Sequence, residues 1–510
     1  MKIYNSNLAK ALPIVLSAAA LGSCAGGSGV AQRPNILFVF VDDLGYADVG
    51  FNGSTYYETP NLDAMAAQSV VFENSYTYPS SSPSRAALHT GQQSFRTGVY
   101  NVPVLEKGDD SASIFSRWTL TKEFPFYSEQ LAAAGYKNIH IGKWHVVGPY
   151  PKQELATPYP YKEHLRQPDS GDYSWVADHR EDDITMNYYP EGRGYLKNVG
   201  GTYRGDPALE PKGYKGVTGG YYAPFPNPFI DAKSDDEWLT DRLTDEAIAF
   251  MAEHRDEPFF VNLHYYTVHA PVRKRSEGLY DKYINKEGDP VLGQGEGKTR
   301  KYVASYATMI ESLDDNFGRM VAYLEQSGLA DNTIIVFSSD NGYAAGANRL
   351  LRGKKLDIYE GGVRVPTFVY WKGKVQPRHT QVPISILDFF PTFLSFASID
   401  NYDGVLDGVD ITPLLTSDAQ QISDRPIFWQ LNSVAQNHGT CTAMRLGDYK
   451  IIEFLADGKV ELYNLKDDPR EEHNLAREQS ELAACLLAKI KSWRRENEVP
   501  LPPNAVVDNN

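Results

Sequence analysis

Cysteine is scarce. Three residues in a chain of 510 are too few for a disulfide framework, so stability has to come from a packed core and any bound metal. Basic side chains are also in deficit, with 50 Lys and Arg against 65 Asp and Glu and a net charge of −15. That balance argues against a nucleic-acid partner, which needs a broad basic face, and leaves an anionic small substrate only if a local positive pocket exists. No stretch is apolar over the ~20 residues needed to cross a bilayer. Internal repeats and low-complexity tracts are missing too. What remains is the composition of a large globular protein, 42% hydrophobic and 12% aromatic, with length for roughly two to four domains.

The first residues read as an address. Lys2 and Lys10 precede an apolar segment at 11–21 and then Gly22-Ser23-Cys24, the layout of an export signal over 1–23. Leu21-Gly22-Ser23-Cys24 is similar to a bacterial lipobox, in which cleavage leaves Cys24 as a lipidated first residue, and the glycine-rich stretch within 24–32 suits a tether. A plain cleaved peptide is the alternative. The expectation is an exported lipoprotein of a Gram-negative bacterium, periplasmic or on the outer membrane, touching lipid only through its anchor. Cys441 and Cys485 then remain within the fold, as separate thiols or one bridge.

Residues 36–41 (Ile-Leu-Phe-Val-Phe-Val) and 333–337 (Thr-Ile-Ile-Val-Phe) are short, continuous and β-favouring, as central parallel strands are. Helical stretches lie between them at 129–134 and 239–254, the latter with apolar spacing at Leu239, Leu243, Ala247 and Met251. Alternating strands and helices imply a doubly wound α/β sheet. Residues 149–228, rich in Tyr, Gly, Pro and charge, read as long irregular loops over the sheet edge, where binding function concentrates. Short strands are expected at 425–431, 442–446, 450–455 and 459–463, forming a small antiparallel sheet. Leu482, Cys485, Leu486, Ile490 and Trp493 fall on one face of a final helix. The domain reading is 33–395 for a catalytic domain and 396–510 for a C-terminal subdomain.

Asp42-Asp43 follows the first strong strand and Asp340-Asn341-Gly342 follows the other. In open α/β sheets ligands bind beyond the carboxyl ends of strands. Three carboxylates and an amide oxygen, with no Cys and no necessary His, suit Ca²⁺ or Mg²⁺ better than zinc. Each pair taken alone is more commonly a turn or a helix cap.

The decisive stretch is Ser81-Ser82-Pro83-Ser84-Arg85-Ala86-Ala87-Leu88-His89-Thr90-Gly91. By itself it is a Ser/Pro loop capping a helix, but it matches the sulfatase signature (Cys or Ser)-x-Pro-Ser-Arg with its downstream Leu-x-Thr-Gly. Other motifs of that family occur in order: Asp42-Asp43-Leu44-Gly45-Tyr46, Thr59-Pro60-Asn61-Leu62-Asp63, Gly142-Lys143-Trp144-His145, His269-Ala270-Pro271, Lys355 with Glu360-Gly361-Gly362-Val363-Arg364, and a closing segment from Glu461 to Leu475. Over nearly the whole chain beyond the leader, thinning between about 149 and 235, the sequence resembles the formylglycine-dependent (type I) sulfatases of the alkaline phosphatase-like superfamily, in their serine-type bacterial form. The resemblance implies a large, mixed, mostly parallel sheet sandwiched by helices, with a smaller C-terminal α+β subdomain on a short antiparallel sheet.

It also implies a chemistry. Unmodified serine is a poor nucleophile; in the family the residue at Ser81 is oxidised to formylglycine, whose hydrate offers one hydroxyl to the cation and one to attack sulfur. An alcohol leaves, and collapse of the sulfated hydrate to the aldehyde expels sulfate. A maturation enzyme that accepts serine is therefore an expected partner. The resemblance makes Asp42, Asp43, Ser81, Asp340 and Asn341 the ligands of one Ca²⁺, with Mg²⁺ second. Arg85 holds the modified residue, Lys143 is a pocket cation, His145 assists the diol and sulfate release, and Lys355 and His269 meet the bridging oxygen, one of them protonating the leaving group.

The expected activity is hydrolysis of sulfate esters, with a sulfated saccharide as substrate. Two alternatives stand beside it: a phosphodiester or phosphonate monoester hydrolase on the same scaffold, and a non-catalytic glycan-binding lipoprotein in which Ser81 is never oxidised. His179, Arg180, Asn348 and Arg349 lie in loops that could meet a sugar, though a structural role fits them equally.

Overall fold

The computed structural model describes residues 33–106, 112–160, 186–207, 220–287, 299–344, 350–416, 422 and 424–507. The expected leader, the tether and Cys24, together with His179, Arg180, Asn348 and Arg349, lie outside the described residues.

In strand β1 (Asn35–Val41) every residue is buried, because successive side chains of a strand face opposite ways and here both ways lead to a core. Ile36, Phe38 and Phe40 enter one apolar cluster and Leu37, Val39 and Val41 the other. Each large side chain buried this way contributes about 1.5–3 kcal/mol. The remaining strands are β2 (Val70–Phe72), β3 (Ser75–Tyr76), β4 (Lys137–Gly142), β5 (Lys197–Val199), β6 (Phe259–Tyr265), β7 (Thr333–Ser339), β8 (Phe368–Trp371), β9 (Arg378–Thr380), β10 (Ile384–Ser385), β11 (Ile427–Leu431), β12 (Cys441–Leu446), β13 (Tyr449–Phe454) and β14 (Val460–Asn464).

The main sheet has eight strands in the order β5-β4-β6-β1-β7-β8-β2-β9. β8 alone runs against its neighbours, and β1 sits between β6 and β7, parallel to both, with Ile36 level with Phe260 and Ile334. This is the large, mostly parallel α/β sheet that the sequence implies. Five helices matter below: α1 (Pro60–Ala66), α2 (Ser81–Thr90), α3 (Leu239–Glu253), α4 (Arg300–Ser327) and α5 (Ser480–Glu496). α3 and α4 cover the face of Leu37, while α2 belongs to the opposite face, with Phe389 and Phe393. Among the described residues no helix is long and apolar enough to cross a membrane.

β11 to β14 form the expected antiparallel sheet, each strand pairing with the next. Trp429, Ala443 and Ile452 face the main core, and Met444, Ile451 and Leu462 pack under α5. Two expectations need correction. Residues 149–228 are not wholly irregular, since Lys197–Val199 pairs with β4 as an edge strand and Pro151–Leu155 is helical. Cys485 is exposed: the inward stripe of α5 is Ala483, Leu486, Ile490 and Arg494, and two residues past Ala483 is roughly 200° round the helix. Of the two arrangements left open for Cys441 and Cys485, the structure has separate thiols, with Cys441 buried.

Candidate active site

Adjacent parallel strands β4, β6, β1 and β7 open their carboxyl ends on one edge, the place where this architecture binds ligands. Each end delivers site residues. Asp42-Asp43 follows β1, Asp340-Asn341 follows β7, Lys143 and His145 follow β4, and His269 lies four residues beyond β6. The backbone ties these ends together: Asp42 N donates to Thr267 O (3.1 Å) and Asp340 N to Val41 O (3.0 Å). Asp43 and His145 adopt left-handed φ values of 64° and 61°, as does Leu356 (73°) beside Lys355. That conformation disfavours a side chain by about 1–2 kcal/mol, and such strain gathers at functional sites.

Ser81 is the first residue of α2, which is buried along its whole length and stops at Gly91, in the left-handed conformation with its N–H on Ala87 O. The helix's free N–H groups and its positive end therefore face the place where an anion would arrive. Ser81 Oγ lies 3.3 Å from Asp42 Oδ1 and 3.3 Å from Asn341 Oδ1. It accepts from Lys143 Nζ at 2.9 Å, and Lys143 also reaches Asp42 Oδ2 at 2.7 Å. Asn341 Nδ2 donates to Asp43 Oδ1 (2.7 Å), Asp43 N donates to Asp340 Oδ1 (3.1 Å), and Lys355 Nζ pairs with Asp43 Oδ1 at 2.7 Å. His269 Nε2 stands 3.7 Å from Asp43 Oδ2 while its Nδ1 meets Ala270 O. Ser82 Oγ approaches His145 Nδ1 at 3.4 Å. Asp42, Asp43, Ser81, Lys143, His269, Asp340, Asn341 and Lys355 are thus joined in one network of contacts, with His145 beside it on Ser82.

Arg85 lies one helical turn beyond Ser81 on α2. It is fully buried, with Nε and Nη2 on Asp340 Oδ2 (3.2 and 2.9 Å) and Nη1 on Lys143 O and the His264 ring. In the unmodified serine form its side-chain bonds therefore run to Asp340, Lys143 and His264. His264, on β6, has no place in the sequence reading; its signal is a histidine, with Asn262, inside a largely apolar and aromatic strand.

Electrostatics follow from burial and crowding. Burial, then the neighbouring Asp340, push the Asp42 carboxyl well above its ordinary range. Burial works against ionising Asp340 too, but Arg85, Lys143 and Lys355 outweigh it and hold that carboxyl low. For Lys355 burial is likewise overcome, by Asp43 and then Asp42, so its ammonium is held more firmly than usual. Burial, then Lys143, drives His145 well below the usual histidine range, and burial with Lys355 takes His269 down to about 3. Three carboxylates and an amide oxygen, all buried and close together, repel one another, a repulsion that a hard divalent cation relieves. Asp42, Asp43 and His269 bring ligand atoms within 4.8 Å of one another. The donor set fits such a cation.

Comparison with known proteins gives the family. A family model described as Sulfatase matches residues 34–399, and one described as N-sulphoglucosamine sulphohydrolase, C-terminal, matches residues 353–496. A sulfatase of Formosa agariphila is 29% identical, the match covering 92% of this chain and 90% of that one. N-acetylgalactosamine-6-sulfatase of Mus musculus is 31% identical over 87% of this chain and 75% of its own. The crystal structure of Ps i-CgsB in complex with k-i-k-neocarrahexaose superposes with a TM-score of 0.69 at 25% identity, covering 94% and 96% of the two chains. Since the family match takes in most of the chain, including β1, α2 and β7 and the residues they bring together, the protein belongs to the sulfatase family and is a sulfuric ester hydrolase.

Proposed function

We propose that the protein removes O-sulfate from a saccharide, with Ser81 as the attacking residue after oxidation to formylglycine. The observation that carries this reading is the position of Ser81 Oγ, at a helix N-terminus, 2.9 Å from Lys143 Nζ and 3.3 Å from both Asp42 and Asn341 oxygens. Hydrated formylglycine there has two hydroxyls on one carbon. One attacks sulfur and the substrate alcohol departs; loss of the proton from the other lets the C–O bond to sulfate break, restoring the aldehyde.

Asp42, Asp43, Asp340 and Asn341 are the residues that would hold Ca²⁺, in preference to Mg²⁺. Bound there, the cation would withdraw charge from the sulfate oxygens and favour the ionised hydroxyl. The chain's own cations do the rest. Lys143 and Lys355 neutralise the carboxylates and face the sulfate group, so that an anion is admitted in spite of the chain's overall negative charge. Arg85 fixes Asp340. His145, beside Ser82, would take a proton from the second hydroxyl, and His269 or Lys355 would protonate the leaving alcohol.

A saccharide is favoured by the names of the relatives, one an N-acetylgalactosamine-6-sulfatase and another bound to a neocarrahexaose. An exported lipoprotein carrying Cys24 as its anchor, matured by a serine-accepting oxidase, is part of the same proposal. The test is a panel: inorganic sulfate release from N-acetylgalactosamine 6-sulfate, N-acetylglucosamine 6-sulfate, galactose 4- and 6-sulfates, carrageenan oligosaccharides and 4-nitrophenyl sulfate, beside phenyl phosphonate and phosphodiester esters. Fastest turnover on a sulfated sugar supports the reading. Fastest turnover on the phosphorus esters overturns it.

A further inference from the structure

We infer that His264 is a positioning residue for this active site, a fixed hydrogen-bond acceptor that orients Arg85 and through it Asp340. The inference rests on the pocket reading above, in which Arg85 sets the direction of Asp340.

Ser81, Arg85 and His89 recur every four residues along α2 and so share one face, running from the hollow into the interior. At the middle of that row the end of β6 meets the helix. Arg85 Nη1 donates to His264 Nδ1 at 2.8 Å. A guanidinium has only donors, so Nδ1 has to present its lone pair and the ring proton has to sit on Nε2. That Nε2 is buried without a hydrogen-bond partner. An orphaned buried N–H destabilises a fold, and an apolar residue of similar size would remove it. The polar gain from having histidine here is therefore the bond to Arg85. Burial, and then the charge of Arg85, keep the ring neutral, as an acceptor must be.

The ring is held rather than free to turn. His140, Phe40 and Phe38 pack around it with ring centroids at 5.0, 5.0 and 5.8 Å. Its backbone contributes as well, since His264 O accepts from Lys143 N at 2.8 Å. A Cβ on Gly142, where φ is 90°, would stand 1.9 Å from that same oxygen, so glycine is needed for β4 to come this close. One residue thus braces both Arg85 and Lys143. Without the imidazole, Nη1 keeps only Lys143 O, and the guanidinium can swing and carry Asp340 with it. A misplacement of about 1 Å in such a group lowers turnover by up to about a hundredfold.

The test uses the full matured chain with its cation and the fastest substrate of the panel. His264→Leu removes the acceptor; His264→Asn offers an amide oxygen near the Nδ1 position; Arg85→Ala is the control. The expected result is a kcat about tenfold to a hundredfold lower for His264→Leu, with KM little changed, and kcat largely restored in His264→Asn. In ¹⁵N spectra of histidine-labelled protein the His264 ring should be the Nε2–H tautomer, a readout that needs no variant to fold. Wild-type kcat in His264→Leu while Arg85→Ala is inactive overturns the inference alone, as does an Nδ1–H tautomer or equal loss in the Leu and Asn variants. Full activity in Arg85→Ala overturns the pocket reading and this inference with it.

Discussion

Gly205 lies flat against the imidazole of His145: a Cβ placed on it would stand 2.5 Å from Cε1 and 2.9 Å from Nε2. The backbone joins the same two segments, with His145 N on Thr202 O at 3.1 Å. Gly205→Ala should push the ring off Ser82 and lower kcat about tenfold to a hundredfold, with little change in Tm because the backbone of Gly205 needs no left-handed φ. Steady-state kinetics beside a thermal melt check this. An alanine variant with wild-type kcat would show that the position of His145 does not limit the reaction.

Removal of the divalent cation should both silence the enzyme and loosen it. Asp42, Asp43 and Asp340 then face one another with only lysine and arginine counter-charges, and the folded state loses the binding free energy, about 3–4 kcal/mol if the cation is normally present at 100 to 1,000 times its Kd. Chelation should lower Tm and abolish sulfate release, and added Ca²⁺ should restore both. A metal-free protein of unchanged Tm and activity would contradict the ligand set.

Glu106 gives a pH signature away from the site. Its carboxyl is buried, accepting from Ser433 Oγ at 2.6 Å and Ser116 N at 3.3 Å, and burial raises its pKa from 4.5 to about 7. The folded protein therefore holds a proton there that the unfolded chain releases. The associated stability is full below pH 4.5 and is lost as the pH rises to about 7. Glu106→Gln should remove that decline, so that the variant gains on the wild type between pH 5 and 8 in urea titrations. Parallel curves for the two proteins would refute the assignment.

Lys450 joins the small sheet to the motif loop by pairing with Glu360 and Glu471 at 3.0 Å each, all three side chains being fully buried. Burial works against ionising Glu360, but Lys450 and Arg364 outweigh it, whereas burial raises Glu471 to about 7. Lys450→Met strands the carboxylates and should destabilise the fold by about 3–5 kcal/mol. Urea denaturation measures this, and a loss under about 1 kcal/mol, the level of a surface pair, would mean that the cluster is solvated.

Much of this could be read before any coordinates. β1 and β7 announce themselves as apolar runs, and Asp42, Ser81, Lys143, Asp340 and Lys355 sit in motifs whose order is diagnostic even though hundreds of residues part them. β5 was hidden because three residues make a strand only once β4 supplies its hydrogen bonds. Cys485 departs from the expected face because an apolar spacing tolerates more than one helical face until a neighbour selects one. His264 is illegible for a related reason: inside Phe259–Tyr265 it reads as a core residue, and only the approach of Arg85 from another element gives its nitrogen a task. Gly205 belongs to a stretch of glycine and charge in which a contact with His145 leaves no local mark.

The most direct test of the account is the mass of the peptide containing Ser81, taken from a preparation shown to release sulfate. Formylglycine there, with the serine lighter by two hydrogens, is the result expected, together with complete loss of activity in Ser81→Ala. An active preparation in which Ser81 is unmodified serine throughout would contradict it.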